Sequence, residues 1–421
     1  MSEESEAAVR GYDDGEPVPA GDAPVSAGAL GPAATASADA AVNTGASGSA
    51  ATVSPDAAAK TGGPGSAATV SPDAPATPGP MLLPPNPVFR FYRGGAGIDR
   101  FRGVEPGSGP GAPEDWVGST TTSFGNDTEG LAALEDGRIL RDVIAADPAA
   151  FLGAEHVAGL GSNPGLLVKL LDAGERLAVH FHPGRDFARQ HLHSDFGKTE
   201  AWLILEAEPG AHMHLGLREP IDQQTLLRWV SEQNSEEMLE ALNKVPVKAG
   251  DSLFVPAGTL HTIGEGITLI ELQEPSDMSV VIEWRYAGVE NGDENLKLGW
   301  DTILPAADLE AGVPIHIPAQ KPQTDTSTQT RLLPPEADAY FRAQLLTVHD
   351  ADPLELEPQF SILVGTGGEL TIASDDHLAV GLTRGVAALL PYSAGRTTVS
   401  GNGTAIRCLP PASTESGARA W

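Results

Sequence analysis

The stretch Leu177-Ala-Val-His-Phe-His-Pro183 holds two histidines one residue apart inside an apolar run. Residues i and i+2 of a strand share a face. His180 and His182 would therefore project together, with Phe181 pointing the other way. Two neutral imidazoles on one face are a common start of a metal site. Read alone, the commoner fate of such a pair is a solvated strand face. Six of the eleven histidines lie between 180 and 214, so rivals compete. His191 and His193 fall in a polar loop. His212 and His214 form another His-x-His on a strand-like run. Both pairs read as solvated or at a site rim, because neither is followed by a complementary turn. The first pair is followed by Pro256-Ala-Gly-Thr-Leu-His261, in which a strand ends at Pro256, turns at Gly258 and delivers His261.

The elements that must position these residues are mostly strands. Residues 165–183 read as two apolar strands around a turn at Asp172–Glu175. The runs 199–208, 211–217, 251–258, 267–274 and 278–288 are also strand-like, punctuated by Gly and Pro. Residues 137–153 carry apolar positions at helical spacing and read as helix. Two short helical patterns, 221–230 and 235–245, form one small insertion near 219–246, with Ser235 as the expected N-cap and Glu236 and Glu237 behind it. Beyond about residue 300, short apolar strands alternate with Gly turns and form a second, smaller block. The expected fold is all-β dominated. A catalytic jelly-roll barrel over 81–300 is followed by a second β-barrel over 301–421.

Residues 1–80 are Ala, Gly, Pro, Ser and Thr with almost no large apolar side chain, and Gly-Ser-Ala-Ala-Thr-Val-Ser-Pro-Asp-Ala occurs twice, at 48–57 and 65–74. This is low-complexity duplication, expected to be disordered. The formal net charge of the 421-residue chain is −31, which sets nucleic acid and anionic membrane aside as partners. No run of about 18 apolar residues is present, so no membrane span is expected. A single cysteine, Cys408, excludes an intrachain disulfide framework and suits a reducing compartment. A cytoplasmic protein follows by default.

Pro-x-Gly-x-x-His after a His-x-His strand resembles the metal signature of cupins. A carboxylate should complete the set. Glu200, in Gly-Lys-Thr-Glu at 197–200, opens the strand after the histidine loop. On its own it would read as an exposed strand-end group. His180, His182, Glu200 and His261 then make a three-nitrogen, one-oxygen set with positions left for water or substrate. Longer blocks sharpen the resemblance: 164–183, 196–205, 255–266 and 270–277, in order, look like the type I mannose-6-phosphate isomerases. The resemblance runs from about 85 to 290, and the C-terminal block fits that family's second cupin-like domain. It implies a zinc-dependent aldose–ketose isomerase acting between mannose 6-phosphate and fructose 6-phosphate. The implied metal ligands are His180, His182, Glu200 and His261, with Lys198 beside the metal. Three positions depart from the family. His180 stands where Gln is usual, Val281 stands where an arginine is common, and Lys297 stands near a usual histidine.

Proton transfer between adjacent sugar carbons needs a base. Lys198 and Glu271 are the candidates, against ordinary readings as a surface lysine and a solvent-facing strand carboxylate. Arg285 is the candidate anion clamp, and Ser119 a candidate phosphate contact; surface arginine and a plain Ser/Thr loop are the ordinary readings of both. Two other classes share the ligand set. One is a cupin oxidoreductase using iron, manganese or nickel, and the other a non-catalytic sugar-binding cupin. The Gly-Lys-Thr-Glu block and the paired barrels favour the isomerase.

Overall fold

A computed structural model describes residues 77–412, apart from 106, 108, 110, 291, 313 and 320–325. Of the expected disordered tail, residues 1–76 lie outside the described residues. Three antiparallel sheets carry the fold. The first has seven strands, in the order Ile315–Ile317, Ser252–Val255, Glu200–Ala207, Ile267–Gln273, Leu167–Ala173, Glu114–Val117 and Pro87–Val88. The second has five, in the order Val280–Val281, His180–Phe181, His261–Ile263, His212–Leu217 and Leu242–Pro246.

The inner faces of these two sheets meet. Leu171, Trp202, Leu253 and Leu269 from the first pack with Met213, Leu215 and Ile263 from the second. The outer face of the five-stranded sheet is covered by helices Gln223–Glu232 and Ser235–Ala241. There Phe181, Leu217 and Val280 meet Leu226, Trp229 and Met238. The outer face of the seven-stranded sheet packs on a third, eight-stranded sheet. Leu170, Leu203, Ile270 and Leu272 meet Ile362, Val364, Leu389 and Ile406. Because Ile267–Gln273 is covered on both faces, it reads as a nearly continuous apolar run, and its one charged residue, Glu271, is forced inside.

The third sheet folds around its own core of Leu346, Leu363, Ile372, Ala388 and Ala405. Its strands lie mostly beyond residue 328, yet Met81–Leu83 forms one edge by pairing with Ala387–Leu390. Conversely, Ile315–Ile317 pairs with Ser252–Val255 in the first sheet. Among the described residues, no helix is long and apolar enough to cross a membrane.

Three local expectations are corrected. The helix expected over 137–153 is split into Leu140–Ala146 and Pro148–Leu152. Pro148 opens the second piece and Asp147 caps it, accepting from Ala150 N at 3.1 Å. The cap of Ser235–Ala241 is Asn234, which accepts from Glu237 N at 3.3 Å; Ser235 is the first helical residue. The strand-like run at 278–288 yields only Val280–Val281 before turning into helix Trp284–Ala287. The buried carboxylate of Glu283 draws the chain inward there, taking Val179 N at 2.8 Å and both terminal nitrogens of Arg176.

Candidate metal centre

The ladder places His261 directly opposite His180 on neighbouring strands. His182 follows one step later, and its carbonyl accepts from Gly258 N at 2.7 Å, which ties the two histidine segments together. Gly258 has φ +88°, a left-handed conformation that glycine adopts without strain, so the turn after Pro256 can deliver His261. Gly197 is needed for a different reason. A Cβ there would lie 2.7 Å from Pro183 O, Gly184 C and Arg185 N. This close approach lets Lys198 N donate to Pro183 O at 3.1 Å and brings Lys198 and Glu200 up to the histidines.

The ring nitrogens of His180, His182 and His261 include one from each residue that all lie within 4.8 Å of one another. The other nitrogen of each ring is fixed by backbone. Nδ1 of His180, His182 and His261 lies 2.8 Å from the carbonyls of Ala178, Met278 and Thr259 respectively. A carbonyl only accepts, so Nδ1 carries the proton and Nε2 turns its lone pair inward. Glu200 joins them, with Oε1 3.1 Å from His182 Nε2 and Oε2 3.7 Å from His261 Nε2. The ammonium of Lys198 sits 2.6 Å from Glu200 Oε1 and 3.2 Å from His182 Nε2.

The donor set fits a divalent ion. His261 Nε2 is buried with no hydrogen-bond partner, an inward lone pair that a metal would satisfy. Burial holds all three imidazoles neutral, the state a ligand needs. It pushes His182 down to about 4 and His261 down to about 3, and His180 is also held well below the usual histidine range. Burial alone would raise Glu200, but the Lys198 ammonium beside it helps to outweigh that and hold this carboxylate well below its usual range.

A second buried cluster lines the same cavity. Glu271 lies across the ladder from Lys169, with Oε1 3.2 Å from its Nζ. Lys169 Nζ is also 3.5 Å from Glu114 Oε2. Glu114 accepts from Tyr92 OH at 2.5 Å and Trp116 Nε1 at 2.6 Å, and lies 3.6 Å from Arg90 Nε. Arg90 is in turn bound by both oxygens of Asp277, at 2.9 and 3.2 Å. Burial and the nearby Glu200 push Glu271 up to about 7, with Lys169 acting against them. Glu114 is held down to about 2. Its burial acts the other way, but Lys169, Arg90 and the two ring donors prevail.

Lys198, Glu200, His180, His261 and Glu271 all line this cavity. Arg285 does not. It is exposed on helix Trp284–Ala287 and stacks on the Trp284 ring at 5.1 Å. Nor does Ser119, which is buried and closed on itself, exchanging 3.0 Å hydrogen bonds with the backbone of Thr121. His212 and His214 alternate with the inward Met213 and Leu215, so they face away from this core.

No protein-family model matches the chain. Among curated proteins, it is 38% identical over 130 residues to mannose-6-phosphate isomerase of Streptococcus mutans, covering 30% of this chain and 40% of that protein. It is 27% identical over 238 residues to mannose-6-phosphate isomerase ManA of Bacillus subtilis, covering 56% and 72%. The chain thus spans about two fifths of the length of the Streptococcus relative it matches. The structure of the Bacillus subtilis mannose 6-phosphate isomerase superposes with a TM-score of 0.62 at 22% identity, over 79% of this chain and 99% of that one. The apo phosphomannose isomerase of Salmonella typhimurium does so with 0.57 at 16% identity, over 80% and 100%. In sequence and in fold, this chain is similar to the mannose-6-phosphate isomerases.

One departure from the expected mannose-6-phosphate isomerase pattern falls next to a candidate metal ligand. Val281, where that pattern carries arginine, is buried and pairs with His180 across the ladder. The cavity cations come instead from Arg90, Lys169 and Lys198. Sequence reasoning missed Arg90, Lys169 and Glu114. The signal for Lys169 was present: a lysine in the middle of Leu167–Ala173, a fully buried strand, needs an internal carboxylate.

The titrations predict how the metal-free chain responds to pH. The histidine values are lower in the folded state than the usual 6.5, so the unfolded chain binds more protons below that pH. Their stabilising contribution is full above about 6.5 and is lost as pH falls toward 3–4. Glu271 opposes them. Its folded value is raised to about 7, so its contribution falls as pH rises from about 4.5. Three groups outweigh one, and the urea midpoint of the metal-stripped chain is expected to rise between pH 4 and 6.5. Glu271→Gln should steepen that rise.

Proposed function

We propose that this chain is a metal-dependent aldose–ketose isomerase that interconverts mannose 6-phosphate and fructose 6-phosphate. The observation that carries the reading is the set of three inward-turned, neutral imidazole nitrogens closed by Glu200, with Lys198 and Glu271 beside it. The curated relatives' names support the substrate. His180, His182, Glu200 and His261 would hold the ion, zinc in our reading. Bound there, it supplies a Lewis acid for the sugar carbonyl oxygen.

The protein's own groups do the rest. Isomerisation removes a proton from C2 of the open-chain aldose and returns one to C1. Glu271 is our candidate for that transfer, since a buried carboxyl poised near neutrality both takes and gives a proton at pH 7. Lys198 holds protons at Nζ next to the ligand set, where they can be donated to the sugar oxygens. Tyr92, Leu171, Leu177 and Ile263 line the cavity and limit water around the transfer. The lone, buried Cys408 supports a cytoplasmic setting.

A second reading concerns the sugar. Val281 offers no charge, and the cavity cations Arg90, Lys169 and Lys198 each already face a carboxylate. This favours a branch whose best substrate is a differently phosphorylated or free aldose. Incubating the zinc-loaded chain in heavy water with mannose 6-phosphate, other hexose phosphates and free aldoses tests both. Deuterium at C1 or C2 of mannose or fructose 6-phosphate is expected. Exchange only with another sugar would select the second reading, and exchange with none would overturn the isomerase.

A further inference from the structure

The third sheet has a feature that the isomerase chemistry does not use. Strands Arg342–Val348, Ser361–Ser374 and Thr397–Leu409 lie side by side in the order 361–374, 397–409, 342–348. The register sets Arg407 between Leu363 on one side and Gln344 on the other. Leu346, Leu363 and Ala405 belong to the inner core of this sheet. By the two-residue period, Arg407, Gln344 and Arg342 turn to that same inner face. Arg342 and Ser361 each begin their strand and Leu409 ends its own, so the group sits at one rim of the second barrel.

Arg407 is only 5% exposed, and no carboxylate lies within ion-pair distance among the described residues. Four other arginines with largely covered side chains are matched: Arg90 with Asp277, Arg102 with Asp115, Arg176 with Glu283, and Arg185 with Glu274. A buried guanidinium without a counter-charge is costly, because it loses hydration and gains only neutral partners. Arg407 has just two such partners, Ser361 Oγ at 3.0 Å and Glu357 O at 3.4 Å. Desolvation and the neighbouring Arg342 push it down to about 10.

Arg342 repeats the pattern. Its Nε donates to Pro410 O at 3.1 Å, while Nη2 is buried with no partner. Its nearest acid, Asp338, is taken by Arg331 at 2.5 Å. Three guanidinium groups against one carboxylate leave two positive charges, in a chain whose formal net charge is −31. Gln344 Oε1 is also buried and unpartnered, and a half-turn of the amide would present two donors instead. Unused donors, an excess of two charges and a hydroxyl at one rim make a receptor for a dianion.

We propose that Arg407, Arg342, Gln344 and Ser361 form a binding site for a small phosphate-class oxyanion in the second barrel, separate from the metal centre. The double charge favours a phosphate dianion over a monocarboxylate, and paired guanidinium forks suit its oxygens.

Calorimetric titration of the full-length chain with inorganic phosphate tests this. One phosphate per chain is expected, with acetate binding at least about tenfold more weakly. Arg407→Met should weaken phosphate binding by about tenfold or more, and His261→Ala should leave it unchanged. Should Arg407→Met fail to fold, the half-buried Arg342→Met probes the same site. Phosphate should raise the Tm of the wild type but not of that variant. No binding at millimolar phosphate would overturn the site, as would undiminished binding by Arg342→Met. Loss of binding in His261→Ala would reassign the anion to the metal centre and also overturn it.

Discussion

Replacing His261 by alanine is expected to leave the chain without stoichiometric metal and to lower kcat by about 10³-fold or more, the scale set by losing electrostatic stabilisation of a developing oxyanion. Three features make this residue decisive. Its Nε2 is buried with no hydrogen-bond partner. Its Nδ1 is locked by Thr259 O at 2.8 Å, so the ring cannot serve another acceptor. Its strand pairs directly with that of His180. The third sheet has a separate core and should stay folded in the variant. Metal analysis, turnover and near-ultraviolet circular dichroism read the three outcomes. Full turnover without bound metal would sink the Lewis-acid mechanism.

Glu271→Gln should cost about 10²–10⁴-fold in kcat, the usual worth of a positioned acid–base group, while metal content stays at the wild-type level. The substitution keeps shape and removes only the ability to exchange a proton. It also leaves Lys169 with Glu114 as its remaining carboxylate, at 3.5 Å. Comparing deuterium exchange at C2 in the wild type and the variant isolates the proton step. Exchange at the wild-type rate in Glu271→Gln would move the base to Lys198.

The three-histidine cluster was legible because its residues are announced locally. The period of two puts His180 and His182 on one face, and the Pro256–Gly258 turn points His261 back at them. Glu200 was readable only from its place between the two histidine motifs; the close approach at Gly197 that brings it to them is visible only in the fold. The second cluster was not legible as a cluster. Arg90, Glu114, Lys169 and Glu271 come from four separate strands or loops, and only the pairing of Leu167–Ala173 with Ile267–Gln273 and Glu114–Val117 assembles them. Sequence shows that a charge inside an apolar strand needs a partner; it does not show which one. Arg285 and Ser119 failed as cavity residues for a related reason. Both depended on a loop path, and at Arg285 the strand pattern gave way to a helical turn anchored by Glu283.

The short strand Met81–Leu83 bears on how the chain reaches its native state. It is made early, yet its partner, Ala387–Leu390, follows roughly 300 residues later. The third sheet therefore cannot complete its edge until late in synthesis, and the sandwich that carries the three histidines has time to collapse first. A fragment beginning after residue 300 would expose the unpaired backbone of Ala387–Leu390, an open edge that invites self-association. Cutting the chain between its two cores should yield an aggregating C-terminal piece, which adding the Met81–Leu83 segment in trans would relieve.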